Sequence, residues 1–132
     1  VVGLATLFEG EPWAASCFYA FDAESVAIII LSNPATRHGQ AMLATPRIAG
    51  TIAGQPKLIP KIQGIQFTAE ACLLRGQAAE TAYGQYCQRH PIARLKRSEV
   101  WQLALLQIKF TDNSLLQGSK THWQRDTATS HN

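Results

Sequence analysis

Long apolar runs are missing from this sequence of 132 residues. The strongest one, residues 26–31 (VAIIIL), is far too short to span a bilayer. No basic stretch leads into an apolar run and a small-residue cleavage site, so nothing points to secretion, and no membrane partner is expected. Charge is scarce as well. Asp, Glu, Lys and Arg make up 16% of the chain, and 12 Lys and Arg against 9 Asp and Glu give a formal charge of +3. A nucleic-acid binder would gather its basic residues into a stripe beside base-reading side chains. The densest basic group here, Arg89, His90, Arg94, Lys96 and Arg97, reads instead as a solvated helix face, and no nucleic-acid partner is expected.

Cysteine is sparse and unpatterned. Cys17, Cys72 and Cys87 are odd in number, and no two have CxxC spacing. Reduced thiols in a cytoplasmic protein are expected, rather than a disulfide frame or a zinc site. Cys17 and Cys72 fall in expected strands and read as small core residues. The four histidines show neither HxxxH nor HxH spacing, so no metal site is expected. Neither GxxxxGK[ST] nor GxGxxG occurs, which excludes a nucleotide-triphosphate loop and a dinucleotide-binding turn. No Ser-His-Asp set, paired-acid motif, repeat or low-complexity segment stands out.

What the sequence does hold is 46% apolar residues, enough for one domain, residues 1–132, around one core. Residues 1–8 read as a buried strand, Glu9-Gly10-Glu11-Pro12 as a turn and residues 13–21 as a second strand, making a hairpin. Residues 26–31 form a third strand, whose unbroken apolar run implies burial on both faces. A short helix follows over about 35–43, with Asn33 as N-cap and Pro34 at the first helical position. Residues 47–53 and 57–74 are expected strands. Residues 77–89 form the best helix, with Ala79, Ala82, Tyr83, Tyr86 and Cys87 on one face, and Pro91 ends it. Residues 100–110 are the last strand, and residues 114–132 form a C-terminal tail whose polar end is expected to fray. The order β-β-β-α-β-β-α-β lacks the alternation of a parallel sheet and suits a small antiparallel barrel with helices at its rim.

Two segments offer chemistry. At Ser32 to Gln40 a buried strand runs straight into a capped helix. The free amides of the first turn and the positive end of the dipole converge there. Ser32 and Thr36 add hydroxyls, Arg37 a planar fork that matches phosphate, and His38 a further donor. A monophosphate pocket and an ordinary capped helix with a surface arginine both use these residues. The second segment is Ser16-Cys17-Phe18-Tyr19. Strand alternation sends Ser16 and Phe18 to one face and Cys17 and Tyr19 to the other. Such an edge offers an aromatic wall to a flat ring, or is a core strand.

These same residues carry a resemblance. The strand Ala15-Ser16-Cys17-Phe18-Tyr19 with Phe21-Asp22, then Thr36-Arg37-His38-Gly39-Gln40, Ala49-Gly50-Thr51-Ile52, Gly54-Gln55-Pro56-Lys57 and Ile62-Gln63-Gly64-Ile65-Gln66-Phe67, resemble the YhbP-like family of bacterial proteins. Ile108-Lys109-Phe110-Thr111-Asp112-Asn113 and the late Trp123 and Arg125 continue the match over nearly the whole chain. The family belongs to the pyridoxamine-phosphate-oxidase-related, FMN-binding split-barrel superfamily. It usually carries a helix ahead of the first strand, which has no counterpart in this sequence.

The resemblance implies a mainly β, six-stranded antiparallel Greek-key split barrel that forms a homodimer, with FMN in a cleft between subunits. It implies that Ser32, Thr36, Arg37 and His38 hold the FMN phosphate. The flavin ring would lie along Ser16, Cys17 and Phe18, under Trp123. It does not imply pyridoxamine phosphate oxidation, because the opening VVGLATL lacks that enzyme's flavin-binding arginine and the tail reads THWQRD. The superfamily holds flavin reductases and haem binders too. The expected function is therefore a flavin-dependent oxidoreductase of unspecified substrate, or a non-catalytic flavin or haem binder. A haem would need His38, His90 or His122 as its axial ligand.

Overall fold

The computed structural model describes residues 1–55, 57–58, 63–112 and 119–126. Among the described residues, eight strands and two α-helices follow one another: β1 (Val2–Phe8), β2 (Glu11–Cys17), β3 (Ala20–Asp22), β4 (Ala27–Leu31), α1 (Arg37–Ala44), β5 (Arg47–Ala53), β6 (Gln63–Leu73), α2 (Gly76–Arg89), β7 (Val100–Asp112) and β8 (Ser119–Gln124). A 3-10 helix, Pro91–Leu95, joins α2 to β7. All strand pairs are antiparallel, in the order β2-β1-β5-β6-β7-β4-β3, with β8 added on β7.

The β1–β2 hairpin turns on Glu9 and Gly10 alone, both with positive φ (52° and 78°). That is the geometry whose twist matches paired strands, and Gly10 adopts it without penalty. Pro12, expected in the turn, lies in β2, an edge strand where a missing N–H is tolerated.

Alternation supplies the core. Val2 and Leu4, Ile28 and Ile30, and Trp101, Leu103 and Leu105 point inward with Ile48, Phe67 and Ala69, and Met42 of α1 joins them. Ile29 points the other way, under Ala79, Ala82 and Tyr86 of α2. This explains the unbroken apolar run of β4, because the barrel buries one face and a helix buries the other. Opposite Thr68 and Ala69 of β6 the register shifts, and Leu106 of β7 is the bulged residue without a partner in the ladder. Its carbonyl accepts from the Arg125 amide at 2.8 Å instead.

Further expectations need correction. The expected strand 57–74 is β6 (Gln63–Leu73), and residues 57–58 lie outside any strand. The stretch 13–21 is two strands, because β2 pairs with β1 at one sheet edge and β3 with β4 at the other. The chain leaves the ladder at Phe18-Tyr19, where the Tyr19 carbonyl accepts from His90 Nε2 at 2.8 Å. The N-cap of α1 is Thr36, not Asn33, and the helix starts at Arg37. Cys72 is exposed rather than in the core. The expected tail contains β8, so six expected strands become eight. The polar end from 127 onward and Asn113 lie outside the described residues, and Asp112 is the last residue of β7.

Arg125 explains why a polar segment forms β8. Its Nε donates to Leu105 O at 2.7 Å, and its Nη2 donates to Ser25 O and Val26 O at 2.8 Å each. Val26 has a left-handed backbone (φ 52°), a strained state for a β-branched residue. The guanidinium thus ties the last strand to the strained turn between β3 and β4.

Candidate functional site

The corner between β4 and α1 is fixed by backbone bonds first. Ser32 N donates to Glu99 O at 2.9 Å, and Trp101 Nε1 donates to Ser32 O at 2.9 Å. The buried start of β7 therefore sets where Ser32 sits. Asn33 does not cap the helix, since its side chain accepts from Ala35 N at 2.8 Å in a local Asx turn. Thr36 N and Thr36 Oγ1 both donate to Asn33 O, at 3.1 and 2.9 Å. Thr36 Oγ1 then accepts from Gly39 N at 3.0 Å. Gly39 is required here, because a Cβ would come within 2.7 Å of Pro34 O and 2.8 Å of Asn33 O.

Three of the four side chains named from the sequence meet at this corner. Ser32 Oγ lies 2.7 Å from His38 Nε2, and Thr36 Oγ1 lies 3.4 Å from the same nitrogen. Burial pushes the His38 imidazole below its ordinary pKa, which favours the neutral ring. Arg37 takes a different course. Its guanidinium lies 3.9 Å above the centre of the Trp13 ring on β2. Arg37 and His38 are the first two residues of α1, so their amides have no intrahelical acceptor. The corner thus combines open amides, an exposed guanidinium and a serine–histidine pair.

The other named residues sit apart from this corner within one chain. Ser16 is exposed in a hollow of about 540 Å³ on the outer sheet face, beside Gly3, Ala5, Ala49 and Thr51. Cys17 and Tyr19 both pack against the core, and burial raises the Cys17 thiol pKa. Phe18 does not share the face of Ser16. The strand has ended, and the ring stands 65% exposed, 5.7 Å from His90. Trp123 lies on β8 in a hollow of about 410 Å³ with Lys109, His122 and Gln124. This hollow and that of Ser16 share Gln66 and Phe67, so they form one shallow face from β2 to β8.

Sequence reading missed Trp13, and it named Arg125 only within the resemblance, without its role in tying β8 to the turn before β4. Nothing in spacing links Trp13 to Arg37, because their contact depends on α1 packing beside the β1–β2 hairpin. The basic group near α2 is used locally. Arg97 forms a two-pronged pair with Glu80 at 2.6 and 3.1 Å, and Arg94 donates to Cys87 O at 3.3 Å. Among the described residues no three His, Cys, Asp or Glu side chains gather as a metal site, and no helix is long and apolar enough to cross a membrane.

No family model matches the chain. A UPF0306 protein of Serratia proteamaculans is 47% identical over 115 residues, 87% of this chain and 80% of that protein. The UPF0306 protein YhbP of Salmonella paratyphi B is 46% identical over 119 residues, 90% of this chain and 81% of its own. Among solved structures, a pyridoxamine 5'-phosphate oxidase-related, FMN-binding protein of Nostoc punctiforme superposes with a TM-score of 0.71 at 9% identity, over 98% of this chain and 82% of that one. A haem-binding protein of Mycobacterium smegmatis superposes with a TM-score of 0.73 at 20% identity, over 91% of this chain and about half (52%) of that one. At such identities the likeness is one of fold, and the fold is the split barrel. Identity near one half across most of both chains settles the family: the chain belongs to the UPF0306 proteins, those called YhbP among them.

Proposed function

We propose that this protein binds FMN as a homodimer, grips the cofactor phosphate at the start of α1, and acts as a flavin-dependent oxidoreductase. The observation that carries the reading is the corner itself. Two open amides, the exposed Arg37 guanidinium and the Ser32–His38 pair lie where a buried strand enters a helix. The donor set suits a dianionic phosphate ester. Bound FMN supplies hydride and electron transfer, so no triad is required of the protein. The exposed face of small and amide side chains from β2 to β8 supports the dimer, with Ser16 and Trp123 reaching the flavin from the partner. Three free cysteines support a reducing, cytoplasmic setting.

The visible absorption spectrum of the purified protein, followed by FMN titration, tests the reading. A flavin spectrum, or saturable uptake of added FMN, is expected. Arg37→Ala should weaken binding by about 1–3 kcal/mol, the range for hydrogen bonds to charged groups. Colourless protein that takes up no FMN refutes it. Oxidation of NADH or NADPH separates an enzyme from a carrier. Haem is the second reading, and it rests on His122, which stands in the Trp123 hollow. The Nε2 atoms of His38 and His90 are already engaged. A Soret band lost in His122→Ala would favour haem over FMN.

A further inference from the structure

We propose that Trp13 is a positioning residue for the cofactor phosphate: its indole holds the Arg37 guanidinium ready beside α1 and so favours phosphorylated flavin over riboflavin. The inference rests on the FMN reading above. Three arginines stack on aromatic rings among the described residues. Arg97 lies 4.2 Å from the Tyr83 ring, but Glu80 takes its fork. Arg125 lies 5.6 Å from the Trp123 ring, but three carbonyls take its donors. Arg37 has the closest stack, 3.9 Å, and no carboxylate among the described residues pairs with it. Stacking uses the face of the guanidinium and leaves the in-plane N–H groups for an acceptor.

Trp13 is itself well placed for this. The Thr6 hydroxyl donates to its carbonyl at 2.9 Å, and the side chain remains 44% exposed. A large indole left half in water gains little from burial, whereas a cation above it gains from the ring quadrupole. An unsupported arginine would lose rotamer freedom on gripping an anion. On the indole, much of that freedom is already gone.

The test is titration of the wild type, Trp13→Ala, Trp13→Phe and Arg37→Ala with FMN and, separately, with riboflavin. Trp13→Ala should weaken FMN about two- to five-fold, the range for an exposed cation–π contact, and leave riboflavin unchanged. Trp13→Phe should retain most of the affinity. Trp13→Ala added to Arg37→Ala should cost nothing more. Equal losses for FMN and riboflavin would make Trp13 a structural support and overturn the inference. Tighter FMN binding by Trp13→Ala would mean the indole withholds Arg37, and would overturn it too. In both cases the FMN reading survives. A wild type that binds neither flavin removes that reading and this inference together.

Discussion

Two helical glycines should respond to alanine with opposite signs. Replacing glycine by alanine inside an exposed helix normally stabilises by about 1 kcal/mol, because alanine gives up less backbone entropy. Gly84, within α2, has nothing within 4 Å of where a Cβ would stand, so Gly84→Ala should follow that rule. Gly39, in the first turn of α1, is buried. Its Cβ would lie 2.7 Å from Pro34 O and 2.8 Å from both Asn33 O and Pro34 Cα. All three are backbone atoms, so no flexible side chain can swing aside. Overpacking of this kind costs about 1–3 kcal/mol. Moving the loop also strains the bonds of Thr36 to Asn33 O and of Gln40 Nε2 to Pro34 O. The clash, with the two strained hydrogen bonds added, should outweigh the propensity gain and leave Gly39→Ala about 0–2 kcal/mol less stable. Urea unfolding with linear extrapolation measures both variants. FMN affinity should fall in Gly39→Ala, because residues 32–36 shift, and hold in Gly84→Ala. If both variants are stabilised alike, the close packing of α1 on the corner is wrong, and the phosphate geometry loses its frame.

Arg125→Ala should cost about 2–4 kcal/mol in the same urea assay, since three carbonyls lose a charged donor, and should speed amide exchange across β8. A loss below about 0.5 kcal/mol would mean water replaces the guanidinium, and β8 holds by pairing alone. His38 gives a pH dependence. Burial depresses its folded pKa below the ordinary 6.5, so the unfolded chain binds the proton more readily. The stability held by the neutral ring is complete above about 6.5 and is lost as pH falls below that value toward the folded pKa. His38→Gln should flatten that fall between pH 7 and 5, and an unchanged slope would remove His38 as its source.

The structure also marks what local sequence can report. Within the expected strand 26–31, residues 27–31 were legible as a doubly buried strand because both neighbours of β4, the barrel interior and α2, demand apolar contact, whereas Val26 falls in the turn before it. The apolar face of α2 was legible for the same reason: Ala79, Ala82, Tyr86 and Cys87 are buried, and Tyr83 is half-buried against them. The break at Phe18-Tyr19 was not legible. Both halves have strand character, and only their partners on opposite sheet edges divide them. Asn33 and Thr36 are both good caps, and the choice fell to Thr36 because Asn33 spends its oxygen on Ala35 N. β8 carries little apolar alternation, and one arginine reaching distant carbonyls fixes it. The corner of Ser32, Thr36 and His38 could be read because its members sit within two turns of chain. Trp13 could not, because tertiary packing alone brings an indole on the hairpin under Arg37. A donor set contiguous in sequence is thus visible before folding, while the residues that aim it become visible only through the sheet that carries them.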